Sequence, residues 1–155
     1  MRRKDREVTD VDSVTDFLDK EQIMRIGFYD NGEVYIVPVN YGYTVKDNEF
    51  TFFFHGAKAG RKYELSLNSP EAGFEIDGNY KVIEAKEACA YSARYKSVIG
   101  TGTVTIIDDT DEKKSALACI MKQITGTEHT FDEKEVNNTA VYKLKVTKLS
   151  CKERK

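Results

Sequence analysis

Tryptophan is absent from this 155-residue sequence, and cysteine, histidine and proline are scarce, at three, two and two. Cys89, Cys119 and Cys151 stand about thirty residues apart with no Cys-x-x-Cys pair. An odd number at that spacing builds neither a disulfide framework nor a thiolate zinc centre. His55 and His129 fall in no His-Glu-x-x-His or His-x-x-x-His spacing, so no metal site is expected. Neither charge is in surplus: 24 Lys and Arg stand against 26 Asp and Glu, a formal net charge of −2. Phosphate-backbone binders need a positive excess, so a generically basic nucleic-acid binder is excluded. No apolar run approaches the roughly 20 residues of a bilayer span, and no membrane association is expected. The opening Met1-Arg2-Arg3-Lys4-Asp5-Arg6 is charged with no apolar segment behind it, so no secretory leader is read and a cytoplasmic location is expected. Its cations alternate with Asp5 and Glu7, which favours salt bridges or solvation.

What is present suits a packed domain. Hydrophobic residues make up 40% and aromatics 11%, enough for a sizeable core and too much for disorder. No repeat, low-complexity tract or linker interrupts the chain, so a single domain over residues 1–155 is expected. A helix is predicted near Asp12 to Lys20, where Val11, Val14, Phe17 and Leu18 fall at helical spacing. Strand patterns then dominate. Ile23 to Tyr29 is an apolar run, and Asp30-Asn31-Gly32 is a tight-turn signal. Glu33 to Val45 reads as one long strand, with Pro38 marking a sheet edge or bulge. After Lys46-Asp47-Asn48, Glu49 to His55 puts Phe50, Phe52 and Phe54 on one face and Thr51, Phe53 and His55 on the other. A helix over residues 59–68 ends at Pro70. Ala72 to Ile76 is a strand and Asp77-Gly78-Asn79 a turn. One or two strands follow to Ile107, then an amphipathic helix over 111–125. Ala140 to Val146 is the last strand, and Lys152 to Lys155 a solvated tail. Consecutive strands joined by short turns must pair antiparallel. Closing such a sheet removes its edges, so the expected fold is mainly β, a barrel with peripheral helices.

Three segments, and His55 within the first of them, are candidates for chemistry. In Phe54-His55-Gly56-Ala57-Lys58-Ala59-Gly60-Arg61-Lys62, a strand runs through two glycines into a helix. Three cations crowd that helix start, where the macrodipole is already positive; the misplacement costs about 0.3–1 kcal/mol per charge at low salt. A bound phosphate would offset it, and a solvated basic turn is the plainer alternative. The spacing is not that of a P-loop. His55, at the strand end, is a possible proton donor or simply a satisfied imidazole. Val37-Pro38-Val39-Asn40-Tyr41-Gly42-Tyr43 is an ordinary strand, or one whose backbone meets a planar heterocycle. Gly100 and Gly102, after Ser97-Val98-Ile99, leave room in a strand for a bulge, a bend or a ligand.

Taken together and in this order, Met1 to Glu7, Ile36 to Tyr43, Phe54 to Lys62 and Ser97 to Gly102 resemble the pyridoxamine 5′-phosphate oxidase-like split-barrel flavoproteins. Within that family the sequence is most similar to the nitroimidazole-resistance (Nim) group. The resemblance implies an antiparallel split barrel of the FMN-binding type and a homodimer with FMN in clefts between subunits. It implies that Arg61 and Lys62 hold the FMN phosphate with Lys58 nearby, and that Ser97 adds a hydroxyl contact. Val37, Pro38, Val39, Asn40 and Tyr41 would line the isoalloxazine, largely through backbone. His55, beside Gly56, would stand next to the flavin as the catalytic residue. The implied activity is reduction of a small planar acceptor, such as a nitroaromatic, with a nicotinamide as possible electron donor. The alternative is a split-barrel protein binding flavin, haem or deazaflavin without nitroreductase activity, a flavin carrier or electron-transfer protein.

Overall fold

A computed structural model describes residues 3–155; Met1 and Arg2, part of the basic opening segment, lie outside the described residues. The chain runs β1 (Glu7–Val8), α1 (Val11–Leu18), β2 (Ile23–Asp30), β3 (Glu33–Asn40), β4 (Gly42–Lys46), β5 (Glu49–Gly56), α2 (Arg61–Asn68), β6 (Glu71–Ile83), β7 (Ser92–Ile106), α3 (Thr110–Thr125), α4 (Glu133–Asn138) and β8 (Ala140–Arg154). The sheet order is β3-β2-β6-β7-β8-β5-β4, with β1 added to β8, and the pairings are antiparallel. The expected mainly β split barrel with peripheral helices is what forms.

The barrel interior follows the alternation of its strands. Phe50, Phe52 and Phe54 are buried, with Ile26, Phe28, Phe74, Ile76, Val98 and Leu144 around them. α1 closes one end with Val14, Phe17 and Leu18, its first turn capped by Asp10 accepting from the Ser13 N–H at 2.9 Å. On the outer face, α3 and α4 cover Phe53 and Val141 with Ala116, Leu117, Ile120 and Val136, a second and smaller core.

Three sequence expectations change. The stretch Glu33 to Val45 is two strands, β3 and β4, at opposite ends of the sheet order. The break falls at Tyr41, which is fully buried with its hydroxyl donating to the Leu18 carbonyl at 2.8 Å. Beside it, Gly42 lies so close to α3 that a Cβ would stand 2.6 Å from the Cys119 backbone carbon. Asp77-Gly78-Asn79 is no turn; β6 continues through a bulge there, with Asn79 at φ 56°. The terminal residues are no free tail, because Lys152 pairs with Ser97 and Glu7, and Arg154 with Tyr95. Gly100 and Gly102 answer to a bulge, one of the three alternatives left open: the register of β7 on β8 shifts between Thr101 and Gly102, and the Lys148 and Lys145 carbonyls and the Phe74 ring close over the two glycines. β1 and the short α4, whose patterns are too brief to register, were not anticipated.

Pro38 lies in β3, which pairs with β2 and ends the sheet order, as an edge assignment requires. Arg3 and Asp5 bridge at 2.6 Å, the salt-bridged reading of the basic opening. Cys89, Cys119 and Cys151 are all free thiols.

Candidate functional site

The end of β5 and the start of α2 gather most of the cationic candidates. α1, α3 and α4 each begin with an aspartate side chain accepting a first-turn N–H. α2 begins at Gly60, at φ 91°, which offers no side chain to its first turn. The first N–H groups of α2 are therefore open to a ligand oxygen or to water. Lys58 is exposed and makes no ion pair among the described residues.

Lys62 is held in a defined place. Its Nζ donates to the His55 carbonyl at 3.0 Å and lies 5.6 and 5.2 Å from the ring centres of Phe54 and Tyr142. Those rings stack on each other at 4.8 Å and 7°. The ammonium approaches across Gly56, where a Cβ would stand 2.8 Å from Nζ and 3.1 Å from Cε. Burial pushes the Lys62 pKa below its ordinary value.

Arg61 departs from the sequence expectation. Its guanidinium donates to Asp30 at 2.7 Å and to Glu33 at 3.0 Å, and lies 5.0 Å from the Tyr35 ring centre. The bonds to Glu33 and Asp30 raise its pKa. One of the three crowded cations is thus neutralised by the protein itself, so the unfavourable charge at α2 is smaller than the local sequence implies. Asp30, Glu33 and Tyr35 belong to the site although sequence reasoning took Asp30 only as a turn residue. The same contacts place the start of α2 beside β3.

His55 stands on the face of β5 that carries Thr51 and Phe53, opposite Phe54 and Lys62. Its side chain is exposed and makes no hydrogen bond among the described residues. The protein packed around it, and then the Lys62 charge, hold its pKa below 6.5. Near neutral pH the imidazole is uncharged, with one N–H to donate.

The remaining candidates divide. Val37 and Val39 turn into the barrel, and Pro38 and Asn40 are exposed. Asn40 donates its amide to the Gln22 carbonyl at 3.0 Å. The Tyr41 side chain is core, so only its backbone can meet a ligand. Ser97 is not brought to the cluster within one chain. It pairs with Lys152 while His55 pairs with Val141, eleven residues away along β8, a path of about 36 Å at roughly 3.3 Å per residue. His129 carries no such geometry; it bonds the Thr125 and Thr127 hydroxyls at 3.0 Å each.

A family model described as pyridoxamine 5′-phosphate oxidase matches residues 10–153. The chain belongs to the pyridoxamine 5′-phosphate oxidase-like family. A search of curated proteins found no match. Among solved structures, a candidate 5-nitroimidazole antibiotic resistance protein from Bacteroides thetaiotaomicron is 26% identical, with TM-score 0.82, over 95% of this chain and 86% of that one. An FAD and haem binding protein from Mycobacterium smegmatis has TM-score 0.83 at 20% identity, over 97% and 74%. A flavocytochrome from Azotobacter vinelandii has TM-score 0.80 at 21% identity, over 100% and 72%. The last two show the shared fold alone. Among the described residues, no helix is long and apolar enough to cross a membrane.

Proposed function

We propose that this member of the family is a flavin-dependent oxidoreductase that reduces a small planar acceptor, with nitroaromatics such as a 5-nitroimidazole as the substrate class. One observation carries the reading. Arg61 reaches across to Glu33 and Tyr35, which sets the uncapped start of α2 beside the edge strand β3. FMN has parts to match: a phosphate for Lys58, Lys62 and the free N–H groups of α2, and a planar ring for the backbone from Val37 to Tyr41. The residues present fit that group, with one adjustment. Arg61 either exchanges carboxylates for phosphate or leaves the phosphate to the two lysines.

The bound flavin supplies the electron transfer, with a reduced nicotinamide as donor. The chain's own work is placement and proton supply. Lys62, fixed by the His55 carbonyl and the Phe54–Tyr142 stack, presents its charge without searching rotamers. His55, neutral and exposed, donates a hydrogen bond or a proton to the acceptor, a role worth about 10²–10⁴-fold.

A homodimer completes the site. The outer face of β2, β3 and β6 exposes Tyr29, Val34 and Ile36 around a 530 Å³ hollow floored by Gly27 and Gly73. A second copy seated there covers this apolar surface and supplies the Ser97 that one chain cannot deliver.

The first experiment is an absorption spectrum of the purified protein, with mass identification of any released chromophore and its ratio to chain. Nicotinamide-driven reduction of a 5-nitroimidazole follows, with His55→Ala alongside. The reading expects a flavin spectrum and a loss of turnover of about 10²-fold or more in the loaded variant. A colourless protein defeats it, and undiminished turnover removes His55 from the mechanism. A second reading, a flavin- or haem-binding electron carrier, is favoured by the unengaged His55 imidazole, which could ligate iron. A haem band in the same spectrum would identify it.

A further inference from the structure

We infer that Arg6, Tyr95 and Lys152 form a binding site for an oxyanion, the group that small organic acids and phosphate esters share. The site stands apart from the cation cluster at α2, and its geometry does not depend on the flavin reading.

The strands bring the three residues together. In β7, Lys96 and Val98 are buried, so Tyr95 and Ser97 turn to the outer face. Lys152 of β8 is the cross-strand partner of Ser97, and β1 pairs along its other side. Tyr95 lies across β8. Its ring centre is 5.4 Å from the Lys152 ammonium, and its hydroxyl accepts from the guanidinium of Arg6, just before β1, at 3.2 Å. The Arg6 side chain is held in place, only 20% exposed.

What the cluster lacks is an acceptor. A phenol has one proton to give, and that of Tyr95 meets no acceptor among the described residues. Arg6 carries five donors and Lys152 three, and neither has an acceptor side chain at hydrogen-bond distance except the Tyr95 oxygen itself. Charge points the same way. Arg3 and Asp5 neutralise each other at 2.6 Å, and Arg6 is 3.9 Å from the same Asp5. Asp77, opposite Ser97 on β6, is taken by Arg25 at 2.6 Å, and Glu153 lies 3.8 Å from the buried Lys96. That leaves Arg6, Lys152 and Arg154, the cross-strand partner of Tyr95, against the exposed Glu7. Lys152 first, and then Arg6, holds the Tyr95 pKa below its ordinary value, the effect of a field that favours negative charge. The adjoining 650 Å³ hollow, which Arg6 also lines, sets Asp5, Glu7, Asp10 and Glu153 against Arg6, Arg154 and Lys155, so an anion is disfavoured there. The oxyanion belongs over Tyr95 and Lys152.

In the homodimer proposed above, Ser97 serves the partner's flavin, and the face that carries Tyr95 and Lys152 comes with it. The oxyanion then belongs to the acceptor, and an acidic nitroaromatic is preferred to a neutral one. This placement rests on the flavin reading; the site does not.

The test titrates the full-length protein, freed of chromophore and at constant ionic strength, with benzoate and separately with inorganic phosphate. Binding is read by NMR at the Ser97 amide, because phosphate also reaches Lys58 and Lys62. Loss of one hydrogen bond to a charged group corresponds to about tenfold or more in affinity. A saturable shift, weakened about tenfold or more in Lys152→Met and in the isosteric Tyr95→Phe and unchanged in the control Lys148→Met, supports the site. Tighter benzoate assigns it to organic acids, and tighter phosphate to phosphate esters. No saturable shift with either probe, or the same loss in Lys148→Met, overturns it. FMN titration of the same samples separates the two readings: FMN binding without oxyanion binding sinks this site alone, and the reverse sinks the flavin reading alone. In FMN-loaded protein, a KM for a nitrobenzoate about tenfold or more below that for nitrobenzene, with the gap closed in Lys152→Met, supports the placement at the cleft. Equal KM values overturn that placement.

Discussion

Gly56→Ala separates two ways in which a glycine can matter. The added Cβ would meet the Lys62 ammonium at 2.8 Å and its Cε at 3.1 Å, whereas the nearest atom after those is Tyr142 Cε2 at 3.8 Å. The obstacle is the end of a flexible side chain, so the backbone need not move. Lys62 must instead leave its seat. It then loses the bond to the His55 carbonyl and its position over Phe54 and Tyr142. A net hydrogen bond is worth about 0.5–1.5 kcal/mol and a partly exposed cation–π contact about 0.5–1 kcal/mol. Some of this returns when the freed ammonium is rehydrated. The expected cost is about 1–2 kcal/mol, a fall in Tm of roughly 2–8 °C for a chain of this length. Affinity for the flavin phosphate should fall with it. Thermal melts and FMN titration of wild type, Gly56→Ala, Lys62→Met and the double variant form a cycle. If Lys62 transmits the effect, Gly56→Ala costs nothing further once Lys62 is methionine. Additive losses would show that Gly56 acts through something else and would refute the reasoning.

Gly42→Ala should behave in the opposite manner. Its Cβ would meet the Cys119 and Ile120 backbone of α3 at 2.6 Å, which no rotamer can relieve, so a loss of about 1–3 kcal/mol or more is expected in urea denaturation. An unchanged midpoint would place α3 elsewhere. The His55 pKa, read by NMR titration, should lie below 6.5, and Lys62→Met should move it only part of the way back because partial desolvation by the protein around the ring is the larger cause. Because the folded pKa is the lower one, the contribution of neutral His55 to stability is complete above about 6.5 and is lost as pH falls through the folded value. Melts of wild type against His55→Gln from pH 7.5 to 5 should show this extra loss in wild type alone. A folded pKa at or above 6.5 would contradict the site geometry.

Short-range order was legible wherever a residue's fate depends on its neighbours in the chain. The alternation of Phe50, Phe52 and Phe54 with Thr51, Phe53 and His55 separated the two faces of β5, and the three phenylalanines prove to be the barrel core. Asn31-Gly32 and Asp47-Asn48 adopt the positive φ values that their turns require. Pro38 identified an edge strand, since a residue without an N–H weakens any ladder it must donate to. The ordered motifs from Ile36 to Gly102 led to the family, and the helix start with its cations was found where the sequence put it.

Tertiary structure alone decided the rest, because charges and backbones meet across distances that a local pattern does not encode. The alternation of Val37, Val39, Tyr41 and Tyr43 runs unbroken past Gly42, yet the chain divides into two strands there, where α3, remote in sequence, packs onto Gly42. Arg61 looked like an unpaired cation, but the fold returns Asp30 and Glu33 to it from 31 and 28 residues earlier. Ser97 follows the cation cluster in sequence and stands far from it along β8. By itself the sequence determined which residues prefer strand, turn and core and which family they form. The pairing of strands determined which charges are already satisfied within the protein and which stay unpaired.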